Sequence, residues 1–510
     1  MPSPLTAAET LWDAAERHPG RPCLSDLDDT TGAPTLTYAQ VTERAAAMGG
    51  AFRGLGLRPG DRVALLLPNS HAYVECYLGA VAAGLVVVPL NVRLLAPDYR
   101  HMLADSGSRV LVTTAEFLER IPELPGLTVI RADTSELREL ADRAEPLDRP
   151  VARDPLSPAS LMYTSGTTGA PKAVVLSDRS WRSVADTAVK VLGMGEGEVT
   201  LHVAPLTHGA GFLLLPTLLL GGHNLLCASF DATRTLRLLD THGVTGMFVV
   251  PSMIRMMLDA RPGGWQVPDT LRRLYYAGSP IDPATLREAT EAFDGRLIQS
   301  FAQMESPMFF TVLDQEDHLR ALRDPGSPLV SSAGRVLPGV RIRVVDDEGA
   351  ELPAGDPGEI LVSAPQTMNG YWGRPEDTAR TLAGGWLHTG DIGHLDADGY
   401  LRLVDRKKDM IVTGGSNVYA REVEEVLTAL PGVKDAAVIG VPHRIWGEAV
   451  TAVLVPAGSE TDGEAVIKAC RAKLAGYRVP KQVVWVDELP RNAYGKVLKR
   501  QLRERFSAAA

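Results

Sequence analysis

One unbroken run of Thr, Ser and Gly, residues 164–169, lies between two apolar segments and is followed closely by Lys172. Apolar runs bounded by small polar residues indicate strands joined by a tight loop, so we predict that Lys172 begins the second strand. Glycines let backbone N–H groups turn inward, the hydroxyls add donors and the lysine adds a positive charge. The sequence therefore predicts an anion site, most simply for phosphate, whose loop donors are Thr164, Ser165, Gly166, Thr167, Thr168 and Gly169.

The spacing of this loop, Gly-x-x-Gly-x-x-Lys, differs from that of the P-loop nucleotide hydrolases. In those proteins the lysine follows the second glycine directly and precedes Ser or Thr. A flexible surface hairpin is the alternative interpretation. It is less favoured because a linker has no use for so many donors between two apolar strands.

Composition limits the class of protein. The chain has 510 residues, of which 45% are hydrophobic, so it can bury a large core and is expected to form more than one folding unit. With 52 Lys and Arg against 62 Asp and Glu, its formal charge of -10 argues against a nucleic-acid partner.

Four cysteines are far apart and form no CxxC pair, which argues against a disulfide framework and a zinc site. The first ten residues lack the pattern of a signal peptide. The longest apolar run, residues 211–220, is much shorter than the ~20 residues that a spanning helix needs. We therefore expect a cytoplasmic protein with no membrane span.

The first part of the chain alternates short continuous apolar runs with helical patterns, which is typical of parallel sheets covered on both faces. A segment from Gly334 to Val404 has Asp-Gly and Pro-Gly turns and predicts antiparallel, barrel-like β structure. The last 100 or so residues predict a compact α+β unit. The fold class is thus α/β, with a large N-terminal domain of doubly wound sheets at residues 1–404, a hinge at 405–409, and a small mobile α+β domain at 405–510.

The segment Tyr163–Lys172 resembles the signature of the adenylate-forming enzymes, which include acyl-CoA synthetases, peptide-synthetase adenylation domains and firefly luciferase. The resemblance extends from about Thr37 to Lys496, with the motifs in family order. No carrier-protein segment follows within the 510 residues, so we expect a stand-alone enzyme, most similar to the acyl-CoA synthetases.

The resemblance implies a role for residues in four further motifs. Asp391 is expected to accept hydrogen bonds from the ribose hydroxyls and Arg406 to contact the nucleotide, while Phe301 stacks beside adenine. Glu305 is expected to hold Mg²⁺. The catalytic residues implied are Lys496, Glu305 and Thr164, and the remaining nucleotide-binding positions are Gly278, Ser279, Ser300, Ala302 and Met304.

Other positions matched by the resemblance concern the acid and the second half-reaction. The resemblance implies that the small domain swivels about Lys408. Thr413–Gly415 is either the loop of the pantetheine tunnel or an ordinary glycine turn. His208 is either structural or shapes the acid pocket. The predicted pocket residues are His208, Ser252, Gly278, Ser279, Ala302 and Gln303.

Three departures from the family pattern are visible. Ala302 replaces the usual glycine, Met304 replaces the usual threonine, and Ala173 stands where glycine commonly follows the lysine. Met304 lacks the threonine hydroxyl that helps to order the phosphate and the metal in the family.

The resemblance implies that a carboxylic acid reacts with Mg-ATP to give acyl-AMP and pyrophosphate, and that coenzyme A then takes the acyl group. An apolar aliphatic or aromatic acid is expected, because no charged anchor lies among the pocket residues. The alternatives are another acceptor (a carrier protein or an amine), another oxyacid such as nitrite, and a nucleotide-binding relative without catalysis. A homodimer is a further expectation.

Overall fold

The computed structural model describes residues 6–28, 35–121, 123–164, 171–324, 326–414, 416–458, 462–491 and 497–507. The chain divides into two compact units, of which the first contains Met1–Arg341 and Val362–Leu387 and the second contains Ile342–Leu361 and His388–Ala510. The domain boundary at residue 405 and the hinge at 405–409 stay predictions.

The helices begin where the sequence supplies caps. The side chain of Thr37 accepts a hydrogen bond from the backbone N–H of Gln40, and the side chain of Gln40 accepts one from the backbone N–H of Thr37. Two backbone donors at the start of the second helix are thereby satisfied. The described α-helices are α1 Ala7–Arg17, α2 Tyr38–Gly54, α3 His71–Ala82, α4 Ala96–Ser106, α5 Ala115–Leu118, α6 Glu136–Arg143, α7 Asp178–Val191, α8 Leu214–Leu219, α9 Ala232–Thr241, α10 Pro251–Ala260, α11 Pro283–Ala292, α12 Gln315–Arg323, α13 Pro375–Thr381, α14 Ala420–Thr428, α15 Gly463–Arg471 and α16 Lys499–Ser507.

Short 3-10 helices lie at Gly209–Leu213, Pro328–Ser331, Ala383–Gly385 and Lys407–Asp409. The described strands are β1 Pro22–Asp26, β2 Thr35–Thr37, β3 Arg62–Leu66, β4 Val86–Pro89, β5 Val110–Thr113, β6 Thr128–Arg131, β7 Pro158–Thr164, β8 Lys172–Ser177, β9 Val199–His202, β10 His223–Leu226, β11 Gly246–Val249, β12 Arg273–Tyr276, β13 Leu297–Gln303, β14 Ser306–Leu313, β15 Gly334–Val336, β16 Arg341–Val345, β17 Gly358–Ser363, β18 Gly370–Tyr371, β19 Leu387–Leu395, β20 Tyr400–Arg406, β21 Ile411–Thr413, β22 Ser416–Val418, β23 Val433–His443, β24 Gly447–Pro456 and β25 Gln482–Trp485.

One sheet of the first unit has the order β18-β8-β7-β4-β3-β5-β6. Strands β7, β4, β3, β5 and β6 pair in parallel, while β7–β8 and β8–β18 are antiparallel. All residues of β4 and β5 are buried, which is why their sequences are continuous apolar runs rather than alternating ones. The prediction of a parallel sheet covered on both faces is confirmed.

The other strands of the first unit follow the order β15-β14-β13-β12-β11-β9-β10-β1-β2. From β13 to β1 the neighbours are parallel, and β14 runs antiparallel to β13. Parallel neighbours have their carboxyl ends on the same edge. The turns after β11, β12 and β13 therefore lie side by side, as predicted for the ligand crevice of such sheets.

Two glycines allow α2 and α3 to pack closely. A Cβ at Gly79 would lie 2.8 Å from the Ala45 carbonyl oxygen and 2.9 Å from the Gly49 nitrogen. Both of these atoms belong to the α2 backbone and cannot move aside without moving the helix. The close approach thus requires glycine at residue 79 for steric reasons rather than conformational ones.

The second unit contains the strand order β16-β17-β19-β20 and a sheet of order β22-β21-β24-β23, with β25 parallel to β24. Strands β23 and β24 form a long antiparallel pair whose inner residues, including Val438, Val450 and Leu454, are buried. Helix α14 packs on β23. The predicted antiparallel β segment and the predicted α+β unit are both found, so the fold class is confirmed. Among the described residues, no helix is both long and apolar enough to cross a membrane.

Candidate active site

The predicted phosphate loop has the strand on each side that the sequence indicates. Thr164 ends β7 and Lys172 begins β8, and the two residues are direct partners in the antiparallel ladder. The hydroxyl of Thr164 donates to the carbonyl oxygen of Lys172 at 3.5 Å. The loop donors Ser165, Gly166, Thr167, Thr168 and Gly169 lie outside the described residues.

The Lys172 ammonium group contacts one carboxylate and one aromatic ring. Its ammonium group lies 2.8 Å from a carboxylate oxygen of Asp377 and 5.3 Å from the ring centroid of Tyr371. The hydrogen bond from Lys172 holds the pKa of Asp377 below its usual range. The ion pair and the aromatic ring thus hold the Lys172 side chain in place at the start of β8.

Glu305 lies in the two-residue turn between β13 and β14. Its carboxylate accepts a hydrogen bond from the hydroxyl of Tyr371 at 2.7 Å, and its carbonyl oxygen accepts one from the N–H of Met368 at 2.8 Å. Tyr371 therefore contacts both Lys172 and Glu305, the two residues that the sequence assigns to phosphate and metal.

Glu305 fits a magnesium ion that is held jointly with phosphate. Within the part of the chain that the structure describes, no group of three or more His, Cys, Asp or Glu side chains is placed to hold a metal ion. Mg²⁺ in nucleotide enzymes is usually held by one or two carboxylates together with substrate phosphates and water, which is what a single carboxylate offers. Magnesium at this position would neutralise phosphate charge.

The predicted acid pocket follows the carboxyl ends of three neighbouring strands. Ser252 lies in the first turn of α10 after β11, Gly278 and Ser279 follow β12, and Gln303 ends β13. Gly278 has a φ of 93°, a backbone conformation that residues with a side chain rarely adopt. The structure brings these segments to one edge of the sheet.

Strand β13 is irregular at Ala302, one of the three departures from the family pattern. Its register with β14 shifts between Phe301 and Gln303, so that Ala302 lies at a bulge. The ring of Phe301 contacts that of Phe310 edge-on at 5.6 Å, and the buried hydroxyl of Ser300 lies 2.6 Å from that of Tyr275. The Ser300 side chain is therefore buried, with Tyr275 as its hydrogen-bond partner, whereas Phe301, Ala302 and Met304 are half-buried.

His208 immediately precedes the 3-10 helix Gly209–Leu213 and is half-buried. Burial lowers the pKa of its imidazole to about 4, so the ring is neutral at neutral pH. A neutral ring fits the predicted role of shaping a pocket for an uncharged group.

In the second unit, Asp391 and Arg406 are opposite one another in the β19–β20 ladder. Their side chains form an ion pair of 2.5 Å, and Asp391 is buried while Arg406 is partly exposed. The predicted hinge residue Lys408 lies in the 3-10 helix that follows, where Arg503 of α16 donates to the Asp409 carboxylate at 2.7 Å. The two predicted nucleotide contacts are thus brought together.

Lys496 lies outside the described residues, as does Gly415. The residues on either side of the Lys496 segment are close together, because Arg491 and Val497 form an antiparallel bridge and the N–H of Leu498 donates to the Pro490 carbonyl at 2.7 Å. The catalytic role of Lys496 stays a prediction.

Sequence reasoning missed Tyr371 and Asp377. Neither belongs to a motif that stands out, and both are more than 190 residues from Lys172 in the chain. The aromatic pair Tyr371–Trp372 after Gly370 was the available signal. Its meaning depends on the pairing of β18 with β8, which a single sequence does not reveal.

Two family models match the chain. The one described as AMP-binding enzyme matches residues 11–372, and the one described as AMP-binding enzyme C-terminal domain matches residues 422–496.

Similar proteins are acid-activating ligases by name. A feruloyl-CoA synthase from Amycolatopsis is 41% identical over 93% of this chain and 95% of its own length. The fatty acid–[acyl-carrier-protein] ligase ScoC of Streptomyces coeruleorubidus is 37% identical over 92% of both chains. The crystal structure of ATP-bound MatB from Rhodopseudomonas palustris superposes with a TM-score of 0.88 at 30% identity, covering 99% of this chain and 100% of that one.

These matches confirm the predicted recognition, fold class and enzyme class, and they support ATP and CoA as the predicted cosubstrates. The roles of the individual site residues stay predictions. With a family model covering well over half of its length, the chain belongs to the AMP-binding enzymes, the adenylate-forming ligases that its sequence motifs indicate.

Proposed function

We propose that this ligase activates an apolar aromatic or aliphatic carboxylic acid as its acyl adenylate and transfers the acyl group to coenzyme A. The observation that carries the proposal is the contact of one residue, Tyr371, with both Lys172 and Glu305. Lys172 begins β8 in one sheet, and Glu305 lies in the turn after β13 in the other.

In the first half-reaction, a carboxylate oxygen of the acid attacks the α-phosphorus, the bond to the β-phosphate breaks and pyrophosphate leaves. Two anions must meet for this step, so positive charge has to be supplied locally. An ammonium group ~4 Å from a phosphate oxygen is worth about 4 kcal/mol at an effective dielectric of ~20, before desolvation. Lys172 is the described residue that we assign to this task, and Lys496 is the second lysine that the sequence predicts.

In the second half-reaction, the thiol sulfur of coenzyme A attacks the acyl carbon, the bond to AMP breaks and the thiol proton passes to solvent. The predicted rotation of the small domain about Lys408 would remove Lys496 from the site before this step. Asp391 and Arg406 are assigned to the ribose and the nucleotide, respectively, through both half-reactions.

The acid class follows from the pocket segments. Residues at the three strand ends are small, apolar or amide-bearing: Val250, Ser252, Ala277, Ser279, Ala302 and Gln303. A dicarboxylate or an amino acid would bring a second ionised group, for which these residues offer no oppositely charged partner. The similarity to a feruloyl-CoA synthase favours a hydroxycinnamic acid as the first compound to test.

A carrier protein is the second candidate acceptor. The relative ScoC, at 37% identity, is named as a ligase of fatty acid to acyl-carrier protein. Coenzyme A and carrier proteins both present a phosphopantetheine thiol, so thioester formation is the same reaction with either acceptor. The two differ in the surface of the ligase that they would contact.

A panel assay of pyrophosphate release tests the proposal. Hydroxycinnamic, benzoic and medium-chain fatty acids, an amino acid, a dicarboxylate and nitrite are compared, each with CoA, with a carrier protein, with an amine or with no acceptor. Thioester formation with an apolar acid and CoA supports the proposal. Pyrophosphate release that depends on nitrite would identify nitrite as the substrate, and a thioester formed only on the carrier protein would identify that protein as the acceptor. If no acid caused pyrophosphate release, a nucleotide-binding protein without catalysis would be the remaining alternative.

We also propose a cytoplasmic location, because all four cysteines are free and buried, as in proteins of a reducing compartment. Cell fractionation with antibodies against the protein checks this. Light scattering of the purified protein checks the predicted homodimer.

A further inference from the structure

The lysine of the predicted phosphate site is fixed from the side by Tyr371, a residue to which the proposed function gives no part in either half-reaction. Strand β18 pairs with β8 so that Tyr371 is opposite Val174, two residues from Lys172. Residues two apart on a strand share a face, and diagonal cross-strand neighbours are within reach of aromatic side chains. The Tyr371 ring therefore lies beside the Lys172 ammonium group, 5.3 Å away, on the same face of the sheet.

The other end of the same side chain holds Glu305. The phenol hydroxyl is 2.7 Å from the Glu305 carboxylate, a length typical of a strong hydrogen bond to a charged acceptor. The phenol O–H is the donor of this bond and the carboxylate oxygen is the acceptor. One rigid ring thus spans from the ammonium group to the carboxylate.

The backbone around Tyr371 supports this position. The N–H of Tyr371 donates to the hydroxyl of Thr378 at 2.9 Å, and the N–H of Met368 donates to the carbonyl oxygen of Glu305 at 2.8 Å. Met368 and Tyr371 are three residues apart, so the segment that carries the ring is also tied to the turn that carries Glu305. Asp377 also fixes the Lys172 ammonium group, by an ion pair of 2.8 Å.

We propose that Tyr371 is a positioning residue for the adenylation step: its hydroxyl orients the Glu305 carboxylate toward the metal–nucleotide complex, and its ring holds Lys172 at a set distance from that carboxylate. This inference rests on the proposed function, in which Lys172 meets phosphate and Glu305 meets magnesium. It predicts that the metal affinity of the nucleotide complex depends on a hydroxyl that touches neither nucleotide nor metal.

Manganese binding in the presence of ATP, without any acid, gives a readout that does not depend on turnover. Free and bound Mn²⁺ are distinguished by electron paramagnetic resonance. Tyr371→Phe keeps the ring beside Lys172 and removes the hydroxyl from Glu305. Loss of such an outer hydrogen bond to a metal ligand typically costs about 10- to 100-fold in metal affinity, so we expect a rise of at least about tenfold in the Mn²⁺ dissociation constant.

The matched control is Tyr38→Phe. Tyr38 is also buried in the first unit and its hydroxyl donates to the Gly222 carbonyl oxygen at 2.7 Å, so this substitution removes a hydrogen bond of the same length elsewhere. A change in Mn²⁺ affinity of similar size in Tyr38→Phe would attribute the effect to general loosening of the fold and overturn the inference.

A double-mutant cycle with Glu305→Gln tests whether Tyr371 acts through Glu305. If it does, Tyr371→Phe adds little further loss of Mn²⁺ affinity in the Glu305→Gln background. Should Tyr371→Phe fail to fold, Glu305→Asp serves as the second variant, because it withdraws the carboxylate from the phenol by one methylene while leaving a charged ligand. Normal Mn²⁺ affinity in Glu305→Asp would then overturn the inference.

The same titration separates failure of this inference from failure of the proposed function. If Glu305→Gln and Lys172→Ala weaken the Mn²⁺–ATP complex but Tyr371→Phe does not, the positioning role is wrong and the proposed nucleotide site survives. If neither Glu305→Gln nor Lys172→Ala weakens the Mn²⁺–ATP complex, the positioning role and the proposed nucleotide site are both wrong.

Discussion

Asp391 and Arg406 face each other across the β19–β20 ladder, and their side chains form an ion pair of 2.5 Å that is buried on the aspartate side. The sequence places them 15 residues apart and assigns both to the nucleotide by resemblance. Antiparallel pairing explains how one hairpin brings them to the same place. The arginine fixes the orientation of the carboxylate that we propose as the acceptor for the two ribose hydroxyls.

Asp391→Asn is expected to weaken ATP binding by about tenfold or more. The amide has one acceptor oxygen instead of two, and a hydrogen bond to a charged group is worth about 1.5–3 kcal/mol. Isothermal titration with ATP measures the loss. The control is Asp398→Asn, at an exposed position in the turn of the same hairpin. Equal ATP affinity in wild type and Asp391→Asn would show that the ion pair is only structural.

Lys496→Ala is expected to lower acid-dependent pyrophosphate release by about 100-fold or more, because one group that offsets charge in the transition state is lost. ATP binding should persist, since Asp391, Arg406 and Lys172 remain. Stopped assays of pyrophosphate and separate ATP titrations distinguish the two effects. Unchanged pyrophosphate release would refute the assigned role.

Gly79→Ala is expected to destabilise the first unit by about 1–3 kcal/mol. The added methyl would lie 2.8 Å from the Ala45 carbonyl oxygen, and the α2 backbone has to shift to admit it. Thermal melting measures the loss. The control is Gly54→Ala at the end of α2, where a Cβ has no atom within 4 Å and alanine is the better helix former. If the two variants melted alike, close packing of α2 and α3 would not explain the glycine.

Acid sensitivity is expected to depend on His202. Burial lowers its pKa to about 4 in the folded state, against about 6.5 when unfolded, so below about pH 6.5 the unfolded chain takes up a proton that the folded one does not. The stability from neutral His202 is therefore complete above about pH 6.5 and is lost as the pH falls toward 4. His202→Gln should reduce the pH slope of the unfolding free energy in this range by up to about 1.4 kcal/mol per pH unit.

Urea denaturation at several pH values measures the slope, and exposed His242→Gln is the control. Glutamine can still bond to the Asn224 amide oxygen, the partner of His202 at 2.9 Å. An identical slope in wild type and His202→Gln would contradict the assignment.

Much of the fold could be predicted from the sequence, because the strands of the parallel sheets are buried on both faces. A run such as Val86–Pro89 has no polar alternation to obscure it, and the helices between such runs carry caps such as Thr37. Strand pairing could not be predicted in the same way. Strand β18 has two residues, which are too few to show the alternation of apolar and polar residues typical of a strand. Its pairing with β8 is set by tertiary structure.

The candidate site was predictable to the extent that its residues lie in contiguous motifs. Lys172, Glu305 and Asp391 are found by resemblance, and the structure places them at a strand start, in a hairpin turn and in a ladder. Tyr371 and Asp377 were missed because their roles depend on neighbours in space. A single sequence shows which residues carry charge, but it does not show which aromatic ring lies between them.

The most direct test of the central claim is a single-turnover experiment with ATP labelled at the α-phosphate and an apolar acid such as a hydroxycinnamic acid. Without CoA, the label should accumulate as enzyme-bound acyl-AMP with an equal amount of pyrophosphate, and adding CoA should convert it to free AMP and acyl-CoA. If ATP were instead cleaved to ADP, or if no acid gave a labelled acyl adenylate, the proposed function would be contradicted.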